Sequence, residues 1–197
     1  FSLLIKVFGF FMRIILSREL GAEALGVYQI SLSFFYVLVT IVASGLPTTL
    51  SHMSAKYQVT KNRDDEGSAV SASILIGSVL SVLLFALLFA LKNVIISATT
   101  EQCFTIILCL SPSILFSAIY SSFRGALWGR RKHLHNCLAE VGEQFVRLVL
   151  FVILLTTAPS AIVGAIRAGV CYSISCLVSM IIVAFFYFKN GGVLKNS

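Results

Sequence analysis

The sequence predicts an all-α integral membrane protein, a bundle of about six transmembrane helices forming one membrane domain over residues 1–197. Three observations carry this. Of the residues, 58% are apolar and mean hydropathy is +0.96. Only 12% are charged, where a soluble domain is about a quarter charged. Apolar runs near the ~20 residues that a helical span requires recur along the chain, separated by short polar segments.

The first run, Phe1 to about Leu16, is short and begins without a Met, so it reads as a first helix that has been cut at its N-terminus. The second extends from about Leu25 to Leu46 and ends at Gly45-Leu46-Pro47. The third covers about Ala69 to Leu91 and the fourth about Cys103 to Phe123. The fifth covers Glu140 to Ala158 and the sixth Ala161 to Phe188. Short connections make sequential spans antiparallel neighbours.

Lys and Arg predict the orientation. Lys56, Lys61 and Arg63 follow the second span, Arg124, Arg130, Arg131 and Lys132 follow the fourth, and Lys189 and Lys195 follow the sixth. The opposite side receives Arg18 and Lys92. This bias places both termini in the cytoplasm of a multi-pass protein of the cytoplasmic membrane. Asp64, Asp65 and Glu66 dilute one loop, but acids weigh little in this rule. The net charge of +7 does not indicate nucleic acid, because the basic residues lie mostly between apolar runs.

Lys6, Arg13, Arg147 and Arg167 instead lie inside apolar runs, and Glu140 and Glu143 open the fifth span. An ionised group at mid-bilayer costs from about 3 to over 10 kcal/mol. Such groups are expected to face a water-filled cavity or a partner. Glu140, Glu143 and Arg147 share one helical face, and Glu143 and Arg147 are in the favourable i,i+4 order. They form either a self-neutralised pair or a pair lining an aqueous cleft that a substrate can re-partner. Arg13 reads as a cavity-facing anion binder or one half of an internal ion pair. Arg18 reads as a membrane-edge anchor or a cavity residue. Arg167 has no acid within a helical turn, so its partner comes from another helix, water or a ligand.

The five cysteines, four of them in predicted spans, read as small lipid-buried residues. His133 and His135 lack ligand partners at zinc spacing and read as part of a basic loop. Gly125 and Gly129 fall in that same loop and read as turn glycines, with Trp128 at the membrane interface. No nucleophile elbow, zinc-protease motif or phosphate-cradling loop is present, so the expectation is a protein that is not an enzyme and needs no cofactor or metal.

Three stretches together resemble a known family. They are "RELGAEALGVYQISLSFFYVLVTIVASGLPTTLSHMSAKY" at 18–57, "FRGALWGRRK" at 123–132 and "EVGEQFVRLVL" at 140–150. In order and placement they are similar to stage V sporulation protein B and its polysaccharide-flippase relatives, in the superfamily of multidrug, oligosaccharidyl-lipid and polysaccharide exporters. The resemblance implies half of a two-lobe, MATE-like transporter: this chain as the N-terminal lobe, with a second lobe absent. It implies a flippase that moves a lipid-linked saccharide across the cytoplasmic membrane by alternating access. The substrate class is a polysaccharide, spore cortex or peptidoglycan precursor with an anionic diphosphate head group. Membrane lipids and a second lobe or a homo-oligomer are the further partners. In lipid-diphosphate flippases of the superfamily, first-helix arginines line the cavity and hold the diphosphate. Arg18 matches that position by its place before the Leu-Gly-Ala turn, and Arg13 lies near the other position. The candidate substrate-binding residues are therefore Arg13, Arg18, Glu140, Glu143, Arg147 and Arg167. The rival readings are a drug or cation antiporter of the same superfamily, whose cavity is expected to favour acids, and a non-transporting fragment that pairs with another chain.

Overall fold

A computed structural model describes residues 2–60 and 63–194. It is helical throughout, with no strand among the described residues. Eight helices follow in order: α1 Ser2–Ala43, α2 Leu46–Thr60, α3 Arg63–Ala90, α4 Lys92–Ala98, α5 Glu101–Leu110, α6 Pro112–Gly129, α7 His133–Thr156 and α8 Ala161–Lys189. Leu3–Gln58, Asp65–Ala90, Glu101–Gly129 and Ala161–Lys189 are long and apolar enough to cross a membrane.

α7 falls outside that set although its 24 residues reach about 36 Å at 1.5 Å per residue. Every stretch of α7 long enough to span contains Glu140, Glu143 and Arg147 together. Its apolarity is diluted by the residues that make it interesting.

The first two predicted spans are one helix bent at a single residue. Gly21 adopts φ 68° and ψ 179° inside α1, a conformation open essentially to glycine alone. Gly9 and Tyr36, well removed from Gly21 on either side, line one cavity, so the two arms of α1 fold back toward each other. Arg18 thus lies within helix, just before the bend, and not in a loop.

Residues 46–60 also differ from the sequence reading. They are not a loop but form α2, which continues from α1 after a break at Ser44 and Gly45 and packs along α6. The fit requires glycine. A Cβ at Gly125 would come within 2.7 Å of the Pro47 carbonyl oxygen, and one at Gly129 within 2.6 Å of that of Ser51. The Gly125-x-x-x-Gly129 pair therefore lies inside α6 as a close-approach face for α2, which corrects its reading as a turn. Small residues serve this purpose in membranes because lipid removes the hydrophobic drive for helices to associate, leaving contact and hydrogen bonds. The fourth predicted span is likewise two helices, α5 and α6, with Pro112 in the first turn of α6.

Interhelical hydroxyl contacts tie the bundle. Ser173 Oγ donates to the Cys109 carbonyl at 2.7 Å, and the Ser73 and Ser122 hydroxyls meet at 2.9 Å. The larger core cluster joins both arms of α1 to α5, α6, α7 and α8 through Leu16, Phe35, Ile106, Ile114, Phe151 and Ala168. A second gathers Leu50, Val70, Phe123 and Tyr187 at the opposite end of the bundle from Gly21.

The bend gives a clean test. Space around Gly21 is open, so the cost of adding a Cβ there is torsional alone. Gly21→Ala is expected to destabilise by about 1–3 kcal/mol. Gly26→Ala, also in open space but in regular helix, is expected to be neutral or stabilising by up to about 1 kcal/mol. Thermal unfolding in one detergent compares the two.

Candidate functional site: a polar cavity between the arms of α1 and the α7–α8 pair

A cavity of about 660 Å³ opens between the arms of α1, α7 and α8. The first arm contributes Arg13 and Ser17, the second Tyr28, Gln29, Ser33 and Tyr36. Gln144 and Arg147 project from α7 and Tyr172 from α8. Among the described residues, no carboxylate lines it. Tyr28 and Gln29 belong to the Gly-x-Tyr-Gln stretch singled out in the sequence.

The two arginines on this wall differ. Arg147 is buried and bonded through Nε and Nη2. It pairs with Glu143 one turn earlier on α7, and its Nε donates to Ser175 Oγ at 2.9 Å. The guanidinium lies 3.9 Å over the Tyr172 ring, which packs edge-on against Phe35. An arginine so neutralised can sit in low dielectric because its partners replace the lost hydration. Arg13 is exposed and has neither a carboxylate nor a hydrogen-bond partner among the described residues. It also lines a shallow outer groove with Phe10, Ile14, Ser17 and Arg18, so it stands where cavity and groove meet. Gln144 adds a buried side-chain oxygen that no donor reaches among the described residues.

The remaining sequence candidates lie elsewhere. Glu140 bonds Arg124 at 2.8 Å, and Arg124 stacks 4.4 Å over Trp128. Arg167 donates to the Leu154 carbonyl and to Thr157 Oγ1, both at 3.1 Å. There it meets the unsatisfied carbonyls and negative dipole end of α7. Its partner is another helix, and it is not among the cavity-lining residues.

One buried pair escaped the sequence reading. Glu66 is 2% exposed and accepts two bonds from Arg130, at 2.8 and 2.9 Å. Arg130 also donates to the Asn190 carbonyl at 3.0 Å and lies 4.8 Å over Tyr187. This staple joins the start of α3, the end of α6 and the end of α8. It puts the segments after the second, fourth and sixth spans at one end of the bundle, as the basic-residue bias groups them. Lys61 and Lys195, and the side chains of Arg63 and Asp64, lie outside the described residues. His133 and His135 open α7, and no group of three metal-ligating side chains occurs among the described residues. The five cysteines are free thiols.

These features define a multi-pass all-α membrane protein with a polar, arginine-bearing cavity. The chain belongs to the polysaccharide biosynthesis protein family, whose model matches residues 1–197. It is similar to stage V sporulation protein B of Bacillus subtilis (strain 168), with 24% identity over 193 residues, covering 96% of this chain and 37% of that protein. It is also similar to the uncharacterized membrane protein YabM of the same organism, with 24% identity over 197 residues, 94% of this chain and 35% of the relative. The chain thus spans a little over a third of the length of these relatives. No solved structure matches it.

The Glu66–Arg130 staple carries a stability prediction. Glu66→Ala leaves Arg130 buried without its acid and is expected to cost about 3–5 kcal/mol. Replacing both partners by apolar residues, Glu66→Leu with Arg130→Met, is expected to recover most of that loss. Denaturation in detergent of the single and double variants reads the difference.

Proposed function

We propose that this chain forms the N-terminal lobe of a flippase that carries a lipid-linked saccharide across the cytoplasmic membrane by alternating access, with both termini in the cytoplasm. The single observation that carries the reading is Arg13: an exposed guanidinium on the cavity wall of a membrane helix, with no acid to neutralise it among the described residues.

The chemistry follows from that position. An unpaired cation at this depth is stabilised by water or by an anion. A guanidinium offers a planar fork of donors that matches phosphate oxygens two at a time. A diphosphate head group in the cavity would be neutralised by Arg13, while its polyprenyl tail stays in lipid beyond the shallow groove. Arg147 is neutralised by Glu143, so its role is to shape the wall and to offer its Nη1 hydrogens. Arg18, at the rim of the groove beside the bend, is placed to meet the head group on its way between groove and cavity. The name of stage V sporulation protein B and the description of the family support a substrate used in building an envelope polysaccharide or the spore. A second lobe, supplied by further sequence or another chain, would close the open side of the cavity.

A cation antiporter of the same superfamily fits less well, since the described lining residues include two arginines and no carboxylate.

Arg13→Ala in the complete protein is expected to lower transport of a fluorescent polyprenyl diphosphate-linked saccharide in proteoliposomes at least about tenfold, the loss of one charged hydrogen-bond set. Arg13→Lys is expected to retain part of the activity, because charge survives without the fork, and Arg18→Ala to give a smaller loss than Arg13→Ala. Undiminished transport with both arginines replaced by alanine would overturn the reading.

A further inference from the structure

The second arm of α1 carries a feature that charge alone does not explain. Gln29, Ser33, Tyr36 and Thr40 are all exposed, and at 100° per residue they fall within a sector about 60° wide. Ile30, Phe34, Val37 and Ile41 are exposed too, and fall in an adjoining sector about 60° wide. The arm therefore shows two faces to its surroundings, one polar and one apolar. The first three polar residues line the cavity, and Thr40 extends the strip one turn beyond it.

The hydrogen bonds of the strip have a direction. Ser33 Oγ donates to the Gln29 carbonyl at 3.0 Å, and Thr40 Oγ1 to the Tyr36 carbonyl at 2.7 Å. Each hydroxyl has thus committed its one proton to its own helix and keeps its lone pairs free to accept. Such back-bonding also lets Ser and Thr lie against lipid. Gln29 and Tyr36 have no such internal partner: neither side chain is hydrogen-bonded among the described residues. An amide and a phenol left unbonded in hydrocarbon cost roughly 2–7 kcal/mol each, whereas the apolar sector beside them suits lipid as it stands.

We propose that this strip is a saccharide-recognition track: a row of hydrogen-bond acceptors that takes the hydroxyl and amide donors of the sugar chain while Arg13, on the facing arm, takes the phosphate. The proposal rests on the flippase reading above and adds to it the wall that reads the sugar. Sugars are dense in O–H donors, and a row of hydroxyl acceptors about one turn apart engages successive donors without fixing any one of them. Such a surface tolerates movement along the arm.

Cysteine accessibility tests this in the complete protein, with its native cysteines replaced. Ser17→Cys, Ser33→Cys and Thr40→Cys probe the two polar walls, and Val37→Cys and Ile41→Cys probe the apolar sector. A membrane-impermeant maleimide is expected to label the polar-wall positions about tenfold faster or more, because the reactive thiolate forms only where water reaches. Undecaprenyl diphosphate carrying an N-acetylglucosamine disaccharide is expected to slow labelling at Ser17→Cys, Ser33→Cys and Thr40→Cys. Bare undecaprenyl diphosphate is expected to protect Ser17→Cys and leave Thr40→Cys unchanged. Equal labelling of the polar and apolar sectors would show that the strip faces lipid or a protein partner, and would overturn the proposal. So would equal protection of Thr40→Cys by both lipids. Protection at Ser17→Cys alone by both lipids removes the track but keeps the flippase reading. Protection nowhere by either lipid removes both.

Discussion

An ionised side chain in a hydrocarbon layer must be neutralised, hydrogen-bonded or wet, and the arrangement of this protein depends on how five of its arginines meet that requirement. Arg130 has Glu66 and a carbonyl, Arg124 has Glu140 and a tryptophan face, and Arg167 has the carbonyl end of α7. Arg147 has Glu143, a serine hydroxyl and a tyrosine ring. Each of these pairings also holds helices together, either between neighbours or along one turn. Arg13 stands outside the scheme among the described residues. A cation left over on the wall of a cavity is a different object from four that are built into the frame.

The cavity exists because of backbone more than side chains. The bend at Gly21 turns one long helix into two arms that fold back with a space between them, and that space is bounded by α7 and α8. Elsewhere the helices approach closely, as where Gly125 and Gly129 let α2 settle on α6. A bundle with tight contacts at one place and a bent helix enclosing space at another keeps an opening without losing cohesion. The Glu66–Arg130 staple holds three connecting segments together at the far end from the bend, so the opening lies in a frame that is pinned.

Much of this was legible in the residues. α8 follows the sixth apolar run closely, and α7 holds all but the last two residues of the fifth. The i,i+4 spacing of Glu143 and Arg147 anticipated their pairing, because two positions one turn apart on a helix meet whatever the rest of the fold does. Other features carried no local signal. The polar composition of residues 46–60 resembles a loop, and their helix is held by contact with α6. Gly125 and Gly129 look alike as turn residues and as contact residues until the neighbouring helix is known. Glu66 and Arg130 are far apart in sequence, and each looks like an ordinary loop charge.

The sequence by itself determined that this chain lives in a membrane as a helical bundle, which of its helices carry charge at depth, and the family to which it is related. Those properties follow from hydropathy, from helical periodicity and from short motifs, all of which act over a few turns. The tertiary structure alone decided which arginines are spent on the frame and that Arg13, on the cavity wall, is left without a carboxylate among the described residues. It decided too that the polar face of the second arm of α1 looks into the cavity. Both depend on the distance between residues remote in the chain, and a charge shows whether it is satisfied only when its surroundings are assembled.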